Sequence, residues 1–185
     1  MNINHSITLY ESEKCMLKYG NWKFILFPIL VVVLIVISFA VTFTIGHPRT
    51  PATPEQVLNV IEDNGFIGAN ITSDYQQKWE MGDELQNAIA FEDGDMRFDF
   101  FEFDSYKNAE HIRKQYRSYI RENRYNIPNI EVSEGAANYM LYTIKANGLY
   151  TICMRVDNTL IVAYCNEENA SKLNTIMIDL GYFDE

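Results

Sequence analysis

A chain of 185 residues with 48% hydrophobic and 14% aromatic content can bury one sizeable core, which excludes a disordered tail. Residues 46–185 carry 12 Lys and Arg against 23 Asp and Glu, a formal charge of −11. That balance excludes general binding of nucleic acid or adhesion to anionic lipid.

Residues 1–21 form a polar leader too short to fold by itself. From Phe24 to Ile45 the chain reads FILFPILVVVLIVISFAVTFTI with no charge; as a helix it extends roughly 33 Å at about 1.5 Å per residue. A transmembrane helix over 22–45 is expected, with the membrane as its integral partner. A cleaved secretory signal is the main rival, because Ser38-Phe39-Ala40 mimics a small-x-small cleavage site. Signal apolar regions run only about 7–15 residues, however, and this one is longer and follows a long polar leader. Pro28 falls near the start of the span, where a missing backbone N–H costs little. Lys14, Lys18 and Lys23 precede the span, whereas Arg49 is the only Lys or Arg between it and Lys78. The expected arrangement is a single pass in the cell membrane, N-terminus cytoplasmic and C-terminal domain extracytoplasmic.

A proline-rich linker, 46–52, separates the span from the folded part, 53–185. There, Thr53 can cap a helix, Pro54 suits its first position, Gln56 completes a capping box and Gly65 can end it. Val57, Leu58 and Ile61 give that helix an apolar face. Phe66 to Leu85 shows no clear period and reads as mostly irregular. Asn87 to Phe91, then Glu92-Asp93-Gly94-Asp95, then RFDFFEFD (97–104) read as a hairpin. In the returning strand, Phe98 and Phe100 have one parity and Phe101 and Phe103 the other. A bulge at Phe100-Phe101 would restore a single apolar face and send Arg97, Asp99 and Glu102 to solvent.

Asp104 or Ser105 can cap a helix reaching about Arg124, and a polar connection containing Pro128 follows. YMLYTIKA, LYTICMRV and TLIVAYC, joined by Asn147-Gly148 and Asp157-Asn158, read as a three-stranded meander. Asn166 then caps a last helix with Ala170, Leu173, Ile176 and Leu180 inward, closed by Gly181. The fold class is α+β: an N-terminal transmembrane helix, then an antiparallel sheet, hairpin plus three-stranded meander, packed with about three helices. The hairpin–helix units 86–124 and 149–182 invite comparison as an internal pair, but they share no sequence identity that would establish a repeat.

No G-x-S-x-G, H-E-x-x-H, G-x-x-x-x-G-K, S-x-x-K or C-x-x-C signature is present. Past the span only His47 and His111 remain, so no zinc site, cofactor or catalytic residue is expected. Asn70-Ile71-Thr72 and Asn169-Ala170-Ser171 fit the glycosylation triplet, which matters only in a eukaryotic secretory setting. Glu92, Asp93, Asp95, Asp99, Glu102 and Asp104 are rich in hard oxygens but lack the spacing of a dedicated calcium loop, and read as a solvated edge.

Two candidate surfaces remain. On the helix after the hairpin, Ala109, Ile112, Tyr116 and Ile120 fall on one arc and Lys107, Arg113, Lys114, Arg117, Arg121 and Arg124 on an adjacent one. This cationic ridge either pairs with sheet carboxylates or docks an anionic polymer or an acidic protein face. In the meander, Tyr139, Leu141, Ile152, Met154, Val156, Ile161, Ala163 and Cys165 share one face. Met140, Tyr142, Ile144, Cys153, Leu160, Val162 and Tyr164 share the other, with Arg155. Either helices cover both faces, the favoured outcome, or Met140, Tyr142, Leu160, Val162 and Tyr164 form an exposed partner patch. The register puts Cys153 and Cys165 on opposite faces and disfavours a disulfide.

Leu149-Tyr150 and Arg155-Val156-Asp157-Asn158-Thr159, with Leu180-Gly181-Tyr182, Phe101-Glu102-Phe103 and Asn64-Gly65-Phe66, resemble membrane-anchored extracytoplasmic α+β domain proteins of Gram-positive bacteria. The resemblance covers most of 53–183 and departs from the lipid-anchored members, since no cysteine follows the apolar run. It implies location and domain type and no activity, cofactor or catalytic residue. The resulting expectation is an extracytoplasmic binding or interaction module on a single span. An accessory subunit of a larger membrane complex, with Ser38 and Ala40 packing against another helix, is the alternative, and an enzyme without recognisable motif the remotest one.

Overall fold

The computed structural model describes residues 27–35, 48–124, 129–136 and 138–184. The chain divides into two compact units, Met1–Gly46 and His47–Glu185. In the first, residues 27–35 are helical (α1); the leader, the cleavage-like Ser38-Phe39-Ala40 and the ends of the expected span lie outside the described residues. No helix among the described residues is long and apolar enough to cross a membrane.

The second unit is built on one seven-stranded antiparallel sheet. Its elements are α2 (Pro54–Asp63), β1 (Ala69–Asn70), α3 (Thr72–Trp79), β2 (Leu85–Asp93), β3 (Met96–Phe103), α4 (Tyr106–Arg124), β4 (Asn129–Ala136), β5 (Tyr139–Ala146), β6 (Leu149–Val156), β7 (Thr159–Asn166) and α5 (Ala170–Asp179). The strand order is β1-β2-β3-β7-β6-β5-β4, so the β2–β3 hairpin and the β4–β7 meander join through β3 and β7. The α+β class and the antiparallel sheet match the expectation. The sheet is larger than hairpin plus three strands, and four helices rather than about three pack on it.

Local chemistry accounts for the elements that were foreseen. Thr53 accepts from Gln56 N at 3.3 Å while Gln56 Oε1 accepts from Thr53 N at 2.9 Å, closing the capping box of α2. Asn147 and Gly148 take φ of 54° and 75°, the left-handed pair a two-residue hairpin turn requires. The domain begins earlier than the expected boundary. Arg49 exchanges backbone bonds with the Asn138 amide at 3.0 and 2.6 Å, and Ala52 is buried with its N–H on the Tyr182 hydroxyl at 3.0 Å. The end of the assigned linker is therefore part of the fold.

Three elements were missed: β1, whose two exposed residues are too few to show a period, α3 and β4. In α3 only Tyr75 is fully buried, and Ile71 at its N-cap makes no side-chain bond. Asn70 Oδ1 instead accepts from Thr72 N at 3.0 Å, and Thr72 Oγ1 accepts from Ala88 N at 2.8 Å, tying the helix to β2. The last missed element, β4, is an edge strand whose alternation is confined to Ile130 and Val132, both exposed, and ends in Ser133-Glu134-Gly135, too short a pattern to announce a strand.

The expected bulge at Phe100-Phe101 is absent. Arg97 to Glu102 pair without interruption with Tyr164 to Thr159, and the irregularity sits across the hairpin, between Leu85 and Asn87. Phe98 and Phe100 enter the core under α2 and α5; Phe101 and Phe103 enter the opposite one under α3 and α4. The physical reason is coverage on both faces: a strand buried on both sides reads as a nearly continuous apolar run and needs no bulge to reconcile its parities. Arg97 and Asp99 consequently lie on the α3–α4 face, while Glu102, on the other, accepts from Asn87 Nδ2 at 2.7 Å.

The meander register is as expected, with both faces covered. Cys153 and Cys165 are free, buried and on opposite faces; burial pushes the Cys153 thiol up to about 12 and the Cys165 thiol to about 11. The two hairpin–helix units are not a repeat. Each helix follows the central strand of its hairpin, yet α4 packs on one face and α5 on the other, so the units have opposite handedness and no rotation superposes them.

Candidate functional site

Helices α3 and α4 do not close over the sheet. Between and beside them lie two hollows of about 440 and 410 Å³ that share Lys78, Tyr116 and Tyr119. The first is walled by Trp79, Ile112 and Gln115; the second reaches the sheet at Arg97 and Asp99 of β3, Leu149 and Thr151 of β6, and Val162 and Tyr164 of β7. Their volumes are in the range of small-molecule sites.

The floor of the second hollow is an ion pair between a buried carboxylate, Asp99, and a guanidinium, Arg97, whose side chain is 30% exposed. Asp99 is 4% exposed, and Arg97 donates to it twice, from Nε at 2.9 Å and from Nη2 at 3.1 Å. The same guanidinium donates to Glu92 at 3.0 Å and to the Tyr75 hydroxyl at 3.4 Å. Burial pushes the Asp99 carboxyl above its ordinary range, against the Arg97 bonds that hold it down. Desolvation likewise raises the Tyr75 and Tyr116 hydroxyls. Tyr75 packs edge-on against Phe101 at 4.9 Å and Trp79 at 4.7 Å, and the Lys78 ammonium lies 5.0 Å over the Tyr75 ring. An aromatic wall, a saturated arginine and a desolvated carboxylate thus meet at one opening.

Sequence reasoning did not assemble this cleft. Tyr75, Lys78 and Trp79 fell in the segment read as irregular, and Arg97 and Asp99 were assigned to solvent through the bulge. The available signal was the i, i+4 series Ile71, Tyr75, Trp79, one face of a helix in an otherwise polar stretch. Tyr116 was placed correctly on the inward arc of α4, and Tyr164 on the correct sheet face.

The two candidate surfaces fare differently from their expectation. In the ridge, Arg113 is 4% exposed and bonds Glu110 at 2.8 Å through both Nε and Nη2, so it is no surface cation. Arg117 faces Glu131 at 3.8 Å and lies 5.2 Å from the Tyr142 ring centroid; Lys114 is 3.6 Å from Glu110. Lys107 and Arg121 are exposed, and the side chain of Arg124 lies outside the described ones. Within the apolar patch, Tyr142, Leu160 and Val162 are buried among the residues of α4, which removes the patch as an open surface. Met140 is half-buried, and Tyr164 is exposed at the cleft.

The acidic residues of the hairpin also disperse. Asp95 accepts from Asn166 N at 2.8 Å and from Asn169 Nδ2 at 3.1 Å, bonds that hold its carboxyl below the ordinary range and fasten the β2–β3 turn to the start of α5. Asp104 accepts from Asn108 at 2.9 Å. Among the described residues no cluster of three or more His, Cys, Asp or Glu could hold a metal ion.

No family model matches the chain, and neither does any curated protein. Two solved structures are similar at the level of chain tracing. A GTP binding regulator from Thermotoga maritima aligns over 75% of this chain and 95% of its own, with 13% identity and a TM-score of 0.43. The extracellular domain of PknH from Mycobacterium tuberculosis aligns over 73% and 96%, with 10% identity and a TM-score of 0.38.

Proposed function

We propose that the chain is a single-pass membrane protein that carries its α+β domain outside the cytoplasm as a binding module, with the α3–α4 cleft as its ligand site. The observation carrying this reading is the Arg97–Asp99 pair beneath an open cleft. An ion pair with a buried carboxylate and a partly exposed guanidinium adds little net stability against apolar replacements of similar size, so its presence under an opening is better accounted for by recognition than by folding. The uncharged run 24–45, the cations Lys14, Lys18 and Lys23 before it, and the resemblance to anchored Gram-positive domains support the location.

Two measurements test the two halves. A C-terminal alkaline phosphatase fusion is expected to be active and a C-terminal green fluorescent protein fusion dark, with an N-terminal tag retained on the membrane-bound chain. The reverse pattern, or loss of the tag, removes the location. For the site, Arg97→Met with Asp99→Leu should leave the urea midpoint of the full chain within about 1 kcal/mol of the parent, or higher. A loss of several kcal/mol would make the pair structural and withdraw the argument for the cleft.

A further inference from the structure

The geometry points to a neutral, polyhydroxylated ring compound, about one or two sugar rings in size, as the ligand of the α3–α4 cleft; this rests on reading the cleft as the binding site. Charge decides the first step. Arg97 already carries two carboxylates, Asp99 and Glu92, both within 3.0 Å. The hollow is lined by Lys78, Arg97 and Asp99, and Glu92, outside it on the same guanidinium, brings the local charge to zero, so the opening offers little net charge to an ion. The field of a domain at −11 further disfavours anions, phosphate included. An organic cation would need an unshared carboxylate, and Asp99 has both oxygens on Arg97.

Shape and surface decide the second step. Tyr119 on α4 is 65% exposed and Tyr164 on β7 39% exposed, so both rings are open to a ligand in the hollow. Both line the same hollow of about 410 Å³. Tyrosine presents a flat apolar face with a polar tip, which suits a ring that is apolar on its C–H face and hydroxylated at its rim. Below them, the second lone pairs of the Asp99 oxygens can still accept, and the Tyr75 and Tyr116 hydroxyls both donate and accept, the mixed pattern hydroxyl groups require. A purely apolar ligand would cover the spare capacity of these groups, already paired among themselves, without adding a hydrogen bond.

The test uses the full chain in lipid nanodiscs, since glycosidic detergents would compete. Saturation-transfer NMR is run with glucose, N-acetylglucosamine, maltose and chitobiose, and with methyl phosphate and putrescine as ionic probes. The expected result is transfer to at least one of the neutral sugars. Tyr119→Ala should weaken that binding about tenfold, the scale of one lost aromatic contact, without moving the urea midpoint. Tyr164→Ala serves as the second variant if Tyr119→Ala changes stability. No transfer to any of the sugars, or transfer undiminished in both variants, overturns the inference. Binding of methyl phosphate or putrescine that Tyr119→Ala abolishes overturns the ligand class while leaving the cleft as the site.

Discussion

Phe101→Ala should lower the unfolding free energy by about 3–5 kcal/mol, read as a lower urea midpoint of the full chain. Phe101 is completely buried, and its ring contacts those of Tyr75, Trp79, Phe103 and Tyr116 at centroid distances of 4.9, 4.8, 6.4 and 6.5 Å. Truncation removes the transfer energy of the ring and leaves a cavity that helices anchored at Thr72 and Glu110 cannot easily collapse into. Phe100→Ala should cost a similar amount, but on the opposite face. In a Trp22→Phe background the fluorescence of native Trp79 should therefore change with Phe101→Ala and stay unchanged with Phe100→Ala. Equal perturbation of Trp79 by both substitutions would place the two rings on one face and contradict the unbroken β3–β7 ladder. A destabilisation under about 1 kcal/mol would show that the α3–α4 side is loosely packed.

The same strand marks where sequence reasoning stops. Period and turn chemistry identified every element that announces itself locally: the Thr53–Gln56 box, the Asn147-Gly148 turn, the alternation in the meander and the apolar positions of α5. They could not say how many layers cover the sheet. With one covered face, RFDFFEFD requires a bulge; with two, it requires none. That single unknown moved Asp99 from solvent to a cleft floor. Similarly, α3 has a mostly polar sequence because one of its faces meets the open cleft, so its helical period shows only through Ile71, Tyr75 and Trp79. Arg113 and Arg155 carried another such ambiguity: an arginine on an arc or a strand face gives no sign of its burial until Glu110 is placed beside it.

That placement sets the second large effect: Glu110→Gln should destabilise the domain by about 3–5 kcal/mol. Glu110 Oε2 accepts from Arg155 Nε at 3.1 Å and from Arg113 Nε at 2.8 Å, and Oε1 from Arg113 Nη2 at 2.8 Å. Both arginines are nearly inaccessible, at 2% and 4% exposure. Arg155 further donates to the carbonyls of Asn138 and Asp157 at 3.0 and 3.2 Å and stacks 4.3 Å from the Tyr106 centroid. Removing the carboxylate charge leaves two buried guanidinium groups uncompensated, a larger penalty than the attraction it supplied. In a double-mutant cycle with Arg155→Met, the two losses should be non-additive by about 1–3 kcal/mol, because Arg113 alone then depends on Glu110. The bonds from Arg113 hold the Glu110 carboxyl below the ordinary glutamate range. Its contribution is accordingly complete above the unfolded value and is lost as pH falls through the lowered folded one. Asp95 has the same sign and remains in Glu110→Gln, so the variant should keep part of the acid-side loss and shed the rest. A midpoint within about 0.5 kcal/mol of the parent, or an unchanged acid slope, would show that the network is not what holds α4 to β6. If it is, the substitution also reaches the cleft, because the helix that Glu110 fixes to the sheet is the one that carries Tyr116 and Tyr119 to the opening.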